Sequence, residues 1–248
     1  MRYNNAPIQE AILDLRIAPR PDASAIEIAK AFEDIHEEFP KRQELPANTD
    51  FSLLIRPNLP PHIEGPALGG FRYTSADGKR VIHAGRDIFS FSLLPPYDHW
   101  ESFVKQAWSL WERYRDTWKP LMISRAALRY INRFDFTEED INLDDFFRTY
   151  PKIPLTIDAQ PMRLAGFAMQ LVLPLTDSGA TAIINQGLTP PPGSAKLSII
   201  LDIDIFRDNI KIDPQRDTEL RTILENLHTR KNDIFESSIT DRTRGRIQ

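Results

Sequence analysis

The segment 124–136, SRAALRYINRFDF, has the alternating pattern of a buried strand but carries three arginines, an asparagine and an aspartate. In a regular strand Arg125, Arg129 and Arg133 project to one side. Buried, unpaired arginines would be very costly, so these must meet solvent, acidic partners or an anionic ligand. The segment therefore predicts a line of arginines that is either a structural charged face or an anion site.

A second strand supplies acidic residues that fit the structural alternative. Over residues 10–17 polar and apolar residues alternate, which places Glu10, Asp14 and Arg16 on the polar side. If this strand neighbours 124–136, cross-strand ion pairs account for much of the charge. The remaining alternative is an anion or partner site on that face.

The candidate binding residues lie in these two strands. They are Glu10, Arg16, Arg129, Tyr130, Asn132 and Arg133. In the ligand hypothesis the arginines bind the ligand, and Tyr130 or nearby aromatics shape the pocket. Alternation also predicts that Arg129 and Arg133 share a face with Glu10 and Asp14, whereas Tyr130 and Asn132 point into the opposite, more apolar layer.

Acidic residues near the C-terminal end raise a second kind of chemistry. The stretch 201–206, LDIDIF, places Asp202 and Asp204 on one strand face, where they could offer hard oxygen ligands to a divalent cation. With Asp135 as a third ligand, a metal-dependent hydrolase becomes a further alternative. An alternating strand edge explains the same pattern without a metal, and no metal or other cofactor is predicted.

The common catalytic signatures are absent from the sequence. There is no cysteine, and the five histidines have no HExxH or comparable metal spacing. No GxSxG elbow is present, and the three prolines of GLTPPPGSAK remove backbone N–H groups that a phosphate loop needs. No catalytic residue is therefore nominated, and a non-enzymatic function is favoured.

Composition limits the partners and the compartment. The formal net charge is −4, so no bulk positive field attracts nucleic acid, and nucleic acid is not expected as a partner. No stretch reaches the roughly 18 apolar residues that cross a bilayer, and the N-terminus lacks a signal-like apolar region. Together with the lack of cysteine, this predicts a cytoplasmic protein that does not engage a membrane.

Periodicity predicts two similar passes of secondary structure. The first has a strand at 10–17, a helix over 23–38, short strands at 51–57, 70–75, 79–83 and 87–94, and a core helix over 98–116. The second has a strand at 125–136, a short helix near 143–150, strands near 163–173, 180–186 and 195–206, and a C-terminal helix capped by Asp213.

This order predicts an α+β fold, with an antiparallel sheet and helices packed on one face. Repetition of strand, helix, meander and helix indicates an internal duplication, although divergent segments can also match by chance. The halves would be residues 1–119 and 120–248, sharing one continuous sheet. The saddle-like TATA-binding protein has this doubled order, which is an analogy of shape only.

Two further predictions concern the helices. Trp111 and Phe103 share an apolar stripe and are expected in the core between helix and sheet. Residues beyond Asp241 are expected to contribute little to the fold. The basic residues near the C-terminus are read as a solvated helix and tail in preference to a nucleic-acid site: Arg230, Lys231, Arg242, Arg244 and Arg246.

Three segments resemble a sporadically distributed family of bacterial proteins of about this length, for which no activity is established. They are YNNAPIQEAILDLRI, LRYINRFDF and LENLHTRKNDIFESSITD. The matching positions are Asn5, Ala6, Pro7, Glu10, Arg16, Arg129, Tyr130, Asn132 and Arg133. The segments lie at the start, middle and end, so the resemblance spans essentially the whole chain. The sporadic distribution implies horizontal transfer, as for genes of bacterial defence or toxin control.

The leading hypothesis is a non-enzymatic interaction or sensing module that works with a partner protein, which an adjacent gene could encode. It depends on the missing catalytic signatures and on the resemblance. The alternative is a small-molecule or nucleotide-binding protein that uses the arginine-lined sheet face. The metal-dependent hydrolase is the further alternative.

Overall fold

The computed structural model describes residues 3–21, 24–46, 68–138, 141–152, 156–157, 160–161 and 165–248. The strands in this part are β1 Ile8–Ala18, β2 Lys41–Pro46, β3 Leu68–Thr74, β4 Arg80–Gly85, β5 Ile88–Leu93, β6 Met122–Phe136, β7 Thr156–Ile157, β8 Gln160–Pro161, β9 Ala168–Leu175, β10 Ala180–Thr189 and β11 Leu197–Ile212. The α-helices are α1 Ile26–Lys30, α2 Trp100–Trp118, α3 Asp217–Ser238 and α4 Asp241–Ile247. None of these helices combines the length and the apolarity needed to span a lipid bilayer. The strand predicted at 51–57 lies outside the described residues.

Nine strands form one antiparallel sheet in the order β2-β3-β4-β5-β1-β6-β11-β10-β9. Strands β1 and β6 are antiparallel neighbours within it, with Leu13 opposite Leu128. The other neighbours are β5 for β1 and β11 for β6. The predicted α+β class and the adjacency of the two charged strands are both confirmed.

One face of the sheet carries the hydrophobic core. In β1 the side chains of Ala11, Leu13 and Leu15 are almost completely buried, while the residues between them are not. Buried residues of α2 and α3 join them in a single cluster. The period-two alternation of the strands thus puts one apolar face under these helices and leaves the other face polar.

Helix α2 places an aromatic stripe against the sheet, close to the predicted range 98–116. Trp111 is 1% exposed and Phe103 is 0% exposed, so the prediction that both lie in the core is confirmed. The Tyr114 hydroxyl donates a hydrogen bond of 2.6 Å to the Gly85 carbonyl oxygen. This bond anchors the helix to the end of β4.

The first predicted helix is shorter than expected. In place of a continuous helix over 23–38, the chain forms α1 and then a 3-10 turn at Glu33–Ile35. Phe32 leaves the helical conformation at φ −128°, and Phe32 and Phe39 are both buried. Tertiary packing of these two rings outweighs the helical periodicity of the segment.

Two other helix predictions are corrected. The helix expected near 143–150 is only a 3-10 turn at Leu143–Asp145. Helix α3 begins at Asp217, so Asp213 is not its N-cap. The Asp213 carboxylate instead accepts a hydrogen bond of 2.9 Å from the Gln215 amide, which closes a turn before the helix.

The prediction that the C-terminal residues contribute little to the fold is wrong. They form α4, in which Thr243 and Ile247 are buried. The Thr243 hydroxyl donates to the Phe146 carbonyl oxygen at 2.5 Å, and Arg244 Nε donates to Glu236 Oε2 at 2.7 Å. The alternating charges of this segment gave no sign of an apolar stripe, but the single apolar residue Ile247 is buried and holds α4 in place.

Candidate functional site

The sheet face opposite α2 and α3 collects polar side chains from several strands. Strand pairing aligns Arg72 of β3 with His83 of β4, and His83 with Ser90 of β5. Ser90 lies opposite Asp14 of β1, which lies opposite Ala127 of β6. Because directly paired residues project to the same side of a sheet, these five side chains form one row across this face.

An open cavity of about 510 Å³ lies on this face and is called here the arginine-face cavity. Ser90, Ser92 and Ala127 are small side chains of central strands, and they leave room between longer neighbours. The arginines that line the cavity are Arg16, Arg72, Arg125 and Arg129. The acidic residues that line it are Glu10, Asp14 and Asp204.

Arg129 is held by a bidentate ion pair. Its Nε and Nη2 atoms donate to the two carboxylate oxygens of Asp202 at 2.8 and 2.6 Å. Asn185 Nδ2 adds a third bond to this carboxylate at 3.1 Å, and Asp202 is only 5% exposed. Arg129 is thus neutralised across the β6–β11 pair and is a structural residue of the cavity wall.

Arg125 is also surrounded by carboxylates. Its guanidinium lies 3.0 Å from Asp14, 3.5 Å from Asp204 and 3.4 Å from Asp208. The predicted pairing between β1 and β6 therefore exists at Arg125 and Asp14. The bidentate partner of Arg129 belongs to β11 instead, and Glu10 of β1 adds a further electrostatic attraction.

Arg133 does not line the cavity. Its Nε lies 3.1 Å from Asp135, two residues further along β6. Asp135 also accepts a hydrogen bond of 2.5 Å from the Ser198 hydroxyl. The predicted line of three arginines therefore divides into one residue outside the cavity and two in its wall.

Three further polar side chains of the cavity wall, Arg72, Ser90 and Ser92, differ from these arginines in their pairing. The Arg72 guanidinium makes no hydrogen bond or ion pair there, and its Nε is buried. The hydroxyls of Ser90 and Ser92 are also without partners in that part of the chain. Sequence reasoning missed Arg72, although alternation with Phe71 and the core residue Tyr73 could have placed it on the polar face.

Two carboxyl groups of the cavity have unusual proton affinities. Burial raises the pKa of Asp204 to about 6, although the guanidinium groups of Arg125 and Arg129 oppose the shift. Burial also raises the pKa of Asp14, against the effects of Arg16 and Arg125. Protonation of Asp204 makes the cavity more positive as the pH falls through about 6.

Replacing Asp204 with asparagine is expected to change the pH dependence of stability. A carboxyl whose pKa is higher in the folded state than in the unfolded state stabilises the fold below the unfolded pKa, and this contribution is lost as the pH rises through about 6. Relative to wild type, Asp204→Asn should therefore gain roughly 1–3 kcal/mol between pH 4 and pH 7.5. Urea unfolding at both pH values measures this difference, and parallel pH profiles would contradict the expectation.

The carboxylates proposed as metal ligands have other roles. Asp202 binds Arg129, Asp135 binds Ser198 and Arg133, and Asp204 lies beside Arg125. Across the described ranges, no group of three or more histidine, cysteine, aspartate or glutamate side chains is arranged to hold a metal ion. The residues that the structure describes therefore contain no metal site that would support the metal-dependent hydrolase.

Tyr130 and Asn132 lie on the opposite face, as alternation predicted, so the hypothesis that Tyr130 shapes a pocket with the arginines is wrong. The Tyr130 and Tyr97 hydroxyls are 3.1 Å apart, and Asn132 Nδ2 donates to the Leu201 carbonyl oxygen at 3.0 Å. Asn132 lines a second cavity of about 520 Å³, called here the helix-side cavity, with residues from the start of α2 and from α3.

The C-terminal basic residues are not a uniform solvated patch. Arg230 pairs with Asp177, and Arg242 Nη1 lies 2.6 Å from an Asp145 carboxylate oxygen. Lys231 is only 7% exposed and lines the helix-side cavity, so its assignment to a solvated surface is wrong. Most of the C-terminal basic residues described here are therefore paired or buried, and little positive charge remains to bind the phosphates of a nucleic acid.

The positions on which the sequence analysis based its expected family resemblance divide between the two cavities. Glu10, Arg16 and Arg129 line the arginine-face cavity, whereas Ala6, Pro7 and Asn132 line the helix-side cavity. No protein-family model and no curated protein matches this chain.

Proposed function

We propose that this protein is a non-enzymatic sensing module that binds a small anionic ligand in the arginine-face cavity and works with a partner protein. The observation that carries the proposal is the unpaired Arg72 guanidinium beside a cavity of about 510 Å³. Small-molecule sites commonly have volumes of about 300–1,000 Å³ and contain a few convergent polar groups.

The arginines around the cavity differ in how fully they are paired with carboxylates. Arg125 and Arg129 are neutralised by carboxylates of neighbouring strands. Arg16 has only a loose contact, 3.5 Å from Asp14, and Arg72 has no partner in the described part of the chain. Arg16 and Arg72 are therefore the arginines whose N–H groups can donate hydrogen bonds to a ligand.

Desolvation of Arg72 gives a physical reason for a ligand with acceptor oxygens. A buried donor without an acceptor costs about 1–3 kcal/mol, and a bound carboxylate or phosphate removes that cost. The unpaired hydroxyls of Ser90 and Ser92 add further hydrogen-bonding groups. The proposed ligand class is a small molecule that carries a phosphate or carboxylate, which includes nucleotides.

Inorganic phosphate provides a direct test. Phosphate at constant ionic strength should raise the melting temperature of the wild-type protein, because binding only the folded state stabilises it. Arg72→Gln should melt at or slightly above the wild-type temperature without phosphate, since it removes a partly buried guanidinium whose buried Nε has no acceptor. It should also lose most of the phosphate response.

Arg133→Gln is the matched control, because Arg133 lies on the same sheet face but outside the cavity. It should keep the phosphate response. A wild-type protein that shows no phosphate response, or equal responses in both variants, would contradict the proposed anion site.

The partner-protein part of the proposal is supported by the resemblance and by the lack of catalytic signatures in the sequence. A specific partner should co-purify with the full chain from native cells, in defined proportion. The identity of the adjacent gene provides an independent indication. Purification as a lone protein from those cells would count against this part of the proposal.

We further propose that the chain arose by internal duplication, with a saddle-like order like that of the TATA-binding protein. Supporting this, the first half gives the neighbour order β1-β5-β4-β3 and the second gives β6-β11-β10-β9. A helix follows the last strand of each half, α2 after β5 and α3 after β11. The two halves meet at the antiparallel β1–β6 pair.

A further inference from the structure

The helix-side cavity contains a lysine in an unusual environment. Lys231 projects from α3 and is 7% exposed, yet it lines the open cavity beside Asn132 and Tyr97. Its ammonium nitrogen lies 4.0 Å from the centre of the Tyr130 ring. Lysine is rarely buried without an ionic partner, so this position needs an explanation.

The Lys231 Nζ has no hydrogen-bond or ion-pair partner in the described ranges. Glu236 attracts the ammonium electrostatically without forming an ion pair with it. Its carboxylate oxygens are already engaged by the Tyr3 hydroxyl at 2.6 Å and by Arg244 Nε at 2.7 Å. The lysine is therefore not held by a structural salt bridge.

The surroundings favour the uncharged amine. Burial lowers the pKa of Lys231 to about 7, although Glu236 and the face of the Tyr130 ring favour the ammonium form. Neighbouring His228 is stacked on Trp100 at 4.3 Å, and burial lowers its pKa to about 4, so it is neutral at pH 7. The lowered pKa gives Lys231 a larger share of uncharged, nucleophilic amine near pH 7 than a lysine in water has.

The charged residues around the helix-side cavity favour an uncharged ligand over an anionic one. Asp98, Glu101 and Asp233 also line it and are exposed. Asp98 lies beside His99, and Asp233 lies beside Arg230. The acidic rim still disfavours an anion that approaches Lys231, but it does not repel an uncharged electrophile. A carbonyl compound therefore suits this cavity better than a phosphate or a carboxylate.

We propose that Lys231 captures a small uncharged aldehyde or ketone as an imine in the helix-side cavity. The amine lone pair forms a C–N bond to the carbonyl carbon, and the carbonyl oxygen takes a proton to give a carbinolamine. Loss of water then forms the C=N bond, so no oxidant or reductant is needed. Solvent in the open cavity, which Tyr97 also lines, takes up the proton that the amine loses and supplies the proton that the carbonyl oxygen gains.

This inference is independent of the anion site on the other sheet face, and reductive trapping tests it. The wild-type protein is incubated at pH 7 with propanal and cyanoborohydride, which reduces an imine to a stable secondary amine, and peptide mapping locates the product. Lys231 should be alkylated roughly tenfold or more faster than the exposed Lys105, because its amine is far less protonated.

Variants give the trapping experiment its controls. Lys231→Arg should remove the fast product, since arginine stays protonated, whereas Lys105→Arg should leave it. Ala6→Leu narrows the cavity and should slow labelling at Lys231 without changing it at Lys105. This variant keeps the test valid if Lys231→Arg does not fold.

Two outcomes would overturn the inference. One is labelling of Lys231 at a rate equal to or below that of Lys105 in the wild-type protein. The other is stabilisation by phosphate or acetate that depends on Lys231, without a fast trapped product, which would make the cavity an anion site.

Discussion

Trp111→Ala should destabilise the protein by about 3–5 kcal/mol. Trp111 is 1% exposed, and its ring lies 5.5 Å from the Phe89 ring and 5.8 Å from the Tyr114 ring. Alanine would remove most of the apolar surface that α2 buries at this position and would leave a cavity between helix and sheet. Urea unfolding monitored by circular dichroism measures the loss.

Trp111→Phe is the matched control. The indole Nε1 is buried without a hydrogen-bond partner, so phenylalanine keeps an aromatic ring and removes an unsatisfied donor. This variant should lose much less stability than the alanine variant. A loss below about 1 kcal/mol for Trp111→Ala would mean that α2 presents its aromatics outward, as a surface for a partner.

Much of the sheet could be predicted because burial imposes a period of two on its strands. In β1 and β6 most of the buried apolar residues fall on the helix-covered face, and the predicted sides of Arg129, Tyr130 and Asn132 follow from this alternation. The short α1 could not be predicted in the same way. Its helical periodicity competes with the contacts that bury Phe32 and Phe39, and those contacts come from distant segments.

The partners within the candidate sites were less predictable, because they depend on strand order and not on local pattern. Asp202 is far from Arg129 in sequence, and only the β6–β11 pairing brings them together. Lys231 is flanked by Arg230 and Asn232, a context typical of a solvated helix face. Its burial follows from the packing of α3 over Tyr130.

Strand β6 links the two candidate sites. Arg129 lines the arginine-face cavity, while Asn132 lines the helix-side cavity and Tyr130 contacts Lys231. Adjacent residues of one strand therefore contribute to opposite sides of the sheet. Shared use of β6 is the route by which the proposed sensing module would communicate between its two faces, if a ligand on one side displaces the strand.

The largest electrostatic effect is expected from Arg129→Ala, which should cost about 3 kcal/mol. The substitution leaves the Asp202 carboxylate buried, with Asn185 as its remaining hydrogen-bond partner. Arg133→Ala is the control on the same strand and should cost less than about 1 kcal/mol, because Arg133 and Asp135 are both partly exposed. Thermal and urea unfolding of both variants test this difference.

A double substitution distinguishes the structural role of the Arg129–Asp202 ion pair from ligand binding in the arginine-face cavity. Arg129→Met combined with Asp202→Leu removes both charges at similar volume and should recover most of the stability that Arg129→Ala loses, since replacing a whole buried pair is often neutral. Phosphate should still raise the melting temperature of this double variant, because Arg16 and Arg72 remain in the cavity wall. An Arg129→Ala variant that is as stable as wild type but no longer responds to phosphate would reverse the assignment, making Arg129 a ligand-binding residue and not a structural one.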